Sequence, residues 1–408
     1  MRITLTSIGS LQNRGVEALA VTSIEGFRRV FLDPKITVLT HHRIVNELLL
    51  DASQATLCDD PYRNRRIRIL RRLGPLQHLL WPLRGVAVVQ LERHLACQDL
   101  VIASGGDNFS SDYGSPAVWL HPLRHAERCG VPVVFMAQSI GPFRNEAHRS
   151  AFVPVAERAK LLSVRERASY DYVTKDLGIS SSRVVLTADP AFLLNPASAS
   201  WVEKALAHYG IDPLRPKVAI SVSQGISRYA KVDEKAHLAK LTAVIKMVLE
   251  DFDAQVILVP HVRSPRPRGN DFLLAEQLLR QHQFDRRIFL LQADHTAREF
   301  KGIIGACDLV VAERMHAAIA GMSSGICTVV IGYSVKGHGI VSDALGVDSL
   351  AEGLVIPVDE FVKTERGLNL ISAAWNRRHE IAGRLRESLP AVRARAERNF
   401  TLLTSLRH

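Results

Sequence analysis

Long apolar runs are absent from this chain of 408 residues: nothing approaches the roughly 18 to 20 consecutive apolar residues that a membrane-crossing helix needs. Cysteine is sparse and scattered, at Cys58, Cys97, Cys129, Cys307 and Cys327, with no C-x-x-C pair. That excludes a disulfide framework and a paired-cysteine zinc site, and it fits a reducing compartment. The dinucleotide fingerprint G-x-G-x-x-G, the phosphate loop G-x-x-x-x-G-K-[ST] and the metalloprotease H-E-x-x-H are all missing, so simple dehydrogenase, P-loop and zincin readings lose their main support. The opening residues run directly into a strand-like segment, without the charged and apolar regions of a secretory signal. The expectation is a cytoplasmic protein that does not span a membrane.

What is present begins with charge. The formal net charge of +11 raises the local concentration of anions such as phosphates and carboxylates. Much of the excess falls in an insertion at 58–93. Between Tyr62 and Leu91, Arg63, Arg65, Arg66, Arg68, Arg71, Arg72 and Arg84 occur without any Asp or Glu, interleaved with Ile67, Ile69, Leu70 and Trp81. Two readings stay open: a solvated basic surface, or peripheral contact with an anionic lipid surface or lipid-linked substrate at the inner face of the membrane. Nucleic acid has little support, because no nucleic-acid motif or run of stacking aromatics accompanies the arginines.

Apolar runs of four to eight residues alternate with longer amphipathic segments along most of the chain, the pattern of repeated strand–helix units around parallel sheets. Strands are expected near 3–7, 36–40, 100–103, 132–137, 161–164 and 184–186, then near 218–222, 256–260, 288–291, 309–311 and 327–331. A polar, small-residue stretch at Asn195-Pro196-Ala197-Ser198 divides the two series. The expected fold is therefore α/β, with two Rossmann-like doubly wound domains facing a cleft, 1–197 and 198–370, and a helical tail over 371–408.

In such sheets ligands bind beyond the carboxyl ends of the strands, which selects a short list of residues. Gly15, at a helix start, offers backbone N–H groups to a phosphate. Gly105 and Gly106 permit close backbone approach, and Asp107 and Asn108 follow with polar groups. In the second half, Arg314 and His316 open a small-residue helix whose N-terminus favours an anion. Arg314 supplies a fork for carboxylate or phosphate, and His316 can exchange a proton near neutral pH. Lys336 follows the next strand. Each also has a structural reading: Arg314 paired with Glu313, His316 as a buried core histidine, Lys336 as a solvated lysine.

Taken in order, Asn13-Arg14-Gly15-Val16-Glu17, Ser104-Gly105-Gly106-Asp107-Asn108, Gln138-Ser139-Ile140-Gly141-Pro142-Phe143, Val164-Arg165-Glu166, Ala188-Asp189-Pro190, Pro260-His261, Arg314-Met315-His316 and Tyr333-Ser334-Val335-Lys336 resemble the polysaccharide pyruvyl transferase family. The family often has glycine-aspartate-glutamate where this chain has Gly15-Val16-Glu17, so no role resting on that aspartate transfers. The resemblance implies a fold like the two-domain GT-B glycosyltransferases, phosphoenolpyruvate as donor substrate, no cofactor or metal, and a pyruvate ketal on a sugar or lipid-linked oligosaccharide as product. With it, His316 is the candidate acid, and Arg314, Lys336 and Arg165 bind the donor. Asn13, Gly15, Glu17, Gly105, Gly106, Asp107, Asn108, His261 and Tyr333 fill out the substrate site. A sugar-nucleotide glycosyltransferase of the same fold and a non-catalytic protein binding anionic glycan or lipid are the alternatives.

Overall fold

The structure, a computed structural model, describes residues 1–40, 42–47, 49–50, 54–60, 81–264, 269–283, 285–332 and 335–407. Contacts divide the chain into two compact units: Met1–Leu11, Leu19–Pro190 and Arg395–His408 form the first, and Gln12–Ala18 with Ala191–Ala394 the second.

The first unit is built on a wholly parallel sheet of β1 (Arg2–Ile8), β2 (Lys35–Thr40), β3 (Thr56–Asp59), β4 (Leu100–Ala103), β5 (Gly106–Phe109), β6 (Val133–Ile140), β7 (Leu161–Val164) and β8 (Val184–Leu186). Their order is β3-β2-β1-β4-β6-β7-β8, with β5 alongside β6. Helices α1 (Arg14–Val30), α2 (Arg43–Glu47), α3 (Trp81–Leu95), α4 (Ala117–Arg128), α5 (Glu146–Arg158) and α6 (Arg167–Asp171) connect them. All of β4 and β6 is buried, which is why these strands read as continuous apolar runs rather than alternating ones.

The second unit repeats the plan with β9 (Lys217–Ser221), β10 (Gln255–Leu258), β11 (Ile288–Leu290), β12 (Leu309–Ala312), β13 (Cys327–Gly332) and β14 (Val355–Pro357), in the order β11-β10-β9-β12-β13-β14. Its helices are α7 (Ala199–Tyr209), α8 (Ile226–Ala230), α9 (Glu234–Glu250), α10 (Asp271–Gln281), α11 (Ala297–Gly305), α12 (Met315–Ser323), α13 (Val335–Leu345), α14 (Val358–Lys363), α15 (Arg366–Asn376) and α16 (Arg378–Thr404). In each sheet the strand order reverses, between β1 and β4 and between β9 and β12. That switch point opens a crevice beyond the carboxyl ends of the strands.

The doubly wound sheets and C-terminal helices agree with the sequence reading, and three details differ. The Gly106–Phe109 stretch, expected as a strand-end turn, is the short strand β5, paired through Gly106 with Gln138. The tail is not a separate 371–408 segment: α15 begins before it, and the residues of α16 are divided between the two units. Of the basic insertion, 61–80 lies outside the described residues. Its later part is α3, which buries Leu91 and Leu95 in the first unit's core. Among the described residues no helix is long and apolar enough to cross a membrane.

Candidate active site

In the second unit the residues that follow β9, β10 and β12 converge. Asp271, the first residue of α10, has no exposed surface. Its carboxylate accepts four hydrogen bonds, two from the backbone N–H groups of Gln224 and Val262 at 3.0 and 2.9 Å and two from Arg314. Arg314 donates through Nε at 2.9 Å and Nη2 at 2.6 Å. A fork held along its Nε–Nη2 edge by two parallel bonds loses rotamer freedom before any ligand arrives. Arg314 is also the N-cap residue of α12, in extended conformation. The arginine–carboxylate pair and the helix terminus therefore occupy one place, with the Arg314 side chain 23% exposed.

Glu313, expected as a partner for Arg314, is instead buried against other groups. It accepts from the Ser223 backbone N–H at 2.7 Å and meets His237 Nε2 at 2.5 Å. Burial opposes a charge on His237, but the adjacent Glu313 carboxylate outweighs it and raises the histidine's pKa.

His316 sits in the first turn of α12 against the start of α1. A Cβ on Gly15 would overlap His316 Nδ1, so glycine here admits the imidazole. The neighbouring backbone is fixed by Asn13, whose Oδ1 accepts from Gly15 N–H at 3.0 Å, and by an Asn13–Val262 bridge. His261 is 3% exposed and stacks on Phe300 at 5.6 Å between ring centroids. Burial first, then the charges of His316, Arg314 and Arg14, hold its pKa well below 6.5. His261 therefore stays neutral near pH 7.

Beneath this pair lies Arg14, which has no exposed surface. Its backbone N–H donates to His261 O at 3.1 Å, and its guanidinium reaches Glu17 at 2.7 Å and Asp294. The second Glu17 oxygen accepts from Ala297 N–H at 3.0 Å, at the start of α11. Burial raises the Glu17 pKa, opposed by Arg14. Glu17 is thus a tie between α1 and α11. Sequence reasoning gave no role to Arg14, Asp271 or His237. Arg14 was visible inside its motif, whereas Asp271 carries only the ordinary signal of an acidic helix start.

Of the other expected residues in this unit, Lys336 lies in the first turn of α13, and Tyr333 falls outside the described residues. Gly321-x-Ser323-x-Gly325 has the spacing of a nucleophile elbow, yet Ser323 ends α12 ahead of β13. That is a helix-to-strand turn at the wrong sheet edge for an elbow.

The remaining candidates gather in the first unit. Gly105 passes so close to β6 that an added Cβ would lie 3.0 Å from Ala137 O. Asn108 Nδ2 donates to Ser7 O at 3.0 Å. Ser7 and Ala137 both adopt positive φ, 67° and 50°, where the registers of β1 and β6 shift; such strain persists only where the surroundings impose it. Arg165 is 4% exposed. It donates to Asp189 at 2.5 Å and Ser139 Oγ at 2.7 Å, with Glu166 at 3.6 Å. Burial opposes its charge, but Asp189, Glu166 and Asp107 outweigh it and raise the pKa. Arg165 is thus a neutralised, interior cation. Among the described residues no group of His, Cys, Asp or Glu is arranged to hold a metal ion.

Three solved structures share this fold. The UDP-GlcNAc 2-epimerase of Neisseria meningitidis bound to UDP-GlcNAc has a TM-score of 0.64 and 12% identity, over 100% of each chain. Anabaena HepE in complex with UDP-glucose has a TM-score of 0.61 and 14% identity, over 99% of this chain and 100% of that one. A Rickettsia africae glycosyltransferase has a TM-score of 0.57 and 11% identity, over 100% and 99%. At these identities the likeness is one of fold, the two-domain GT-B arrangement of sugar-nucleotide enzymes. The family model for polysaccharide pyruvyl transferases matches residues 13–335, a span that takes in Asn13, Gly15, Arg165, His261, Arg314 and His316, and the chain belongs to the polysaccharide pyruvyl transferase family.

Proposed function

We propose that the chain transfers the pyruvyl unit of phosphoenolpyruvate to two hydroxyls of a sugar, free or lipid-linked, to form a pyruvate ketal during glycan synthesis. The observation that carries this reading is the grouping of Arg314, fixed by Asp271, with His316 at the N-terminus of α12. The donor's carboxylate and phosphate are the anions such a place favours.

His316, as imidazolium, gives its proton to the methylene carbon of the enol phosphate, and the adjacent carbon takes up the first sugar hydroxyl, whose proton is released. Phosphate then leaves with the electron pair of its C–O bond, and the second hydroxyl closes the ketal with loss of its own proton, which restores His316. Arg314 and Lys336 offset the charge on the departing phosphate. His261, held neutral by burial, is not available as the proton donor. Asp107 and Asn108, on β5 of the first unit, are the candidate groups for positioning the sugar acceptor. The basic 62–91 segment supplies contact with an anionic lipid surface when the acceptor is lipid-linked, at the inner face of the membrane.

Thermal-shift titration tests this, because a ligand that binds only the folded state adds RT ln(1 + [L]/Kd) to stability. Phosphoenolpyruvate is expected to raise Tm, and Arg314→Ala to abolish the rise. A rise with UDP- or GDP-sugars alone would overturn pyruvyl transfer in favour of glycosyl transfer.

A further inference from the structure

The second unit contains a cavity of about 740 Å³ between α7, α11, the turn after α12, and α16. Its walls are largely apolar, with Val202, Leu206 and Leu389 among them, but three cations line it: Lys301, Arg386 and Arg393. Lys301 is 2% exposed, and its Nζ makes no hydrogen bond. Arg386 donates Nε to Ala382 O at 3.2 Å, and Arg393 donates Nη2 to Ser323 O at 3.0 Å. Among the described residues, none of the three meets a carboxylate. Glu203, the acidic residue of the lining, is exposed.

A buried amine without a partner is costly, and native proteins seldom keep one without a reason. Burial, then the charges of Arg393 and Arg298, pull the Lys301 amine down to about 7. The site therefore lacks a negative charge, and its volume is that of a small-molecule pocket.

We propose that this cavity binds a small amphipathic anion, a carboxylate or phosphate monoester on a short apolar chain. Lys301, Arg386 and Arg393 hold its acid group, and Val202, Leu206 and Leu389 pack its chain. The place is separate from the candidate active site within the same unit. Gly305 and Ala306 lead into the amino end of β12 and Ser324 towards that of β13, whereas Arg314 follows the carboxyl end of β12. One strand of four residues, roughly 13 Å, lies between them.

Calorimetric titration of the full chain with octyl phosphate and octanoate, beside octanol and inorganic phosphate, tests the proposal. Saturable one-to-one binding of an amphipathic anion, at least tenfold tighter than either control, is the expected result. Lys301→Met and Arg393→Met, each in a chain that still melts cooperatively, should weaken it at least tenfold. Arg314→Ala should leave it unchanged, which separates this site from the donor site. Binding should also fade as pH rises above about 7, where the Lys301 amine loses its proton. No saturable binding below about 1 mM, binding unaltered by both methionine variants, or binding lost only in Arg314→Ala would overturn it.

Discussion

Each unit holds an arginine on a buried carboxylate just past a parallel strand, Arg165 in the first and Arg314 in the second, and the two differ in their surroundings. Arg165, after β7, is 4% exposed and meets Asp189, Glu166 and Ser139. Arg314, after β12, is gripped by Asp271, yet its side chain stays 23% exposed at a helix N-terminus. A buried cation neutralised by buried carboxylates fixes the fold. One held by a single buried carboxylate and still partly exposed at a helix N-terminus is prepared for an anion. Both were named as donor ligands from sequence, and their surroundings separate them.

The largest test of that contrast is His316→Ala, which should reduce turnover by about 100- to 10,000-fold while Tm changes little. Steady-state rates and a melting curve on the same sample check this. Near-normal turnover would remove His316 from the chemistry. In the first unit the matching change is Asp189→Ala, which strands the buried Arg165 charge and should cost about 3–5 kcal/mol of stability, read by denaturant unfolding. If it lowered donor affinity without lowering stability, Arg165 would belong with the ligand-binding groups.

A smaller effect is expected from Gly15→Ala, because the new methyl overlaps His316 Nδ1. Displacing a catalytic group by about 1 Å costs roughly 100-fold, so kcat should fall while phosphoenolpyruvate binding, by thermal shift, persists. The smallest is pH dependence. The folded pKa of His261 is depressed below 6.5, so its unfolded form takes a proton first and stability is lost as pH falls below about 6.5. The folded pKa of His237 is raised above 6.5, so its contribution is full below that value and is lost as pH rises through the folded pKa. His261→Gln should flatten the acid side of a Tm profile and His237→Gln the neutral-to-alkaline side. The Arg165 centre should give no such slope, because a guanidinium does not titrate there.

Strands with apolar, β-branched runs were legible from sequence: β4, β7 and β8 fall at their expected bounds. Gly106, Asp107 and Asn108 are poor strand formers, and β5 forms because β6 offers it a pairing edge. Strand β14 and the strand β3 at Thr56–Asp59 were missed because Pro357 cuts the first short and the second mixes polar with apolar residues. At the site, the Arg314-Met315-His316 and Asn13-Arg14-Gly15 motifs were readable, but their meeting was not, since 301 positions separate Gly15 from His316: it arises only when α1 starts beside α12 in the second unit.

The sequence by itself determined two series of βα units, a short list of strand-end candidates and the family, because burial pattern and motif order are local properties of the chain. Only the tertiary structure decided that Asp271 rather than Glu313 holds Arg314, that Glu17 ties α1 to α11, and that Arg165 is neutralised inside the first unit. Ion pairing and pKa depend on which distant groups packing brings within a few ångströms, and on how much water it leaves beside them.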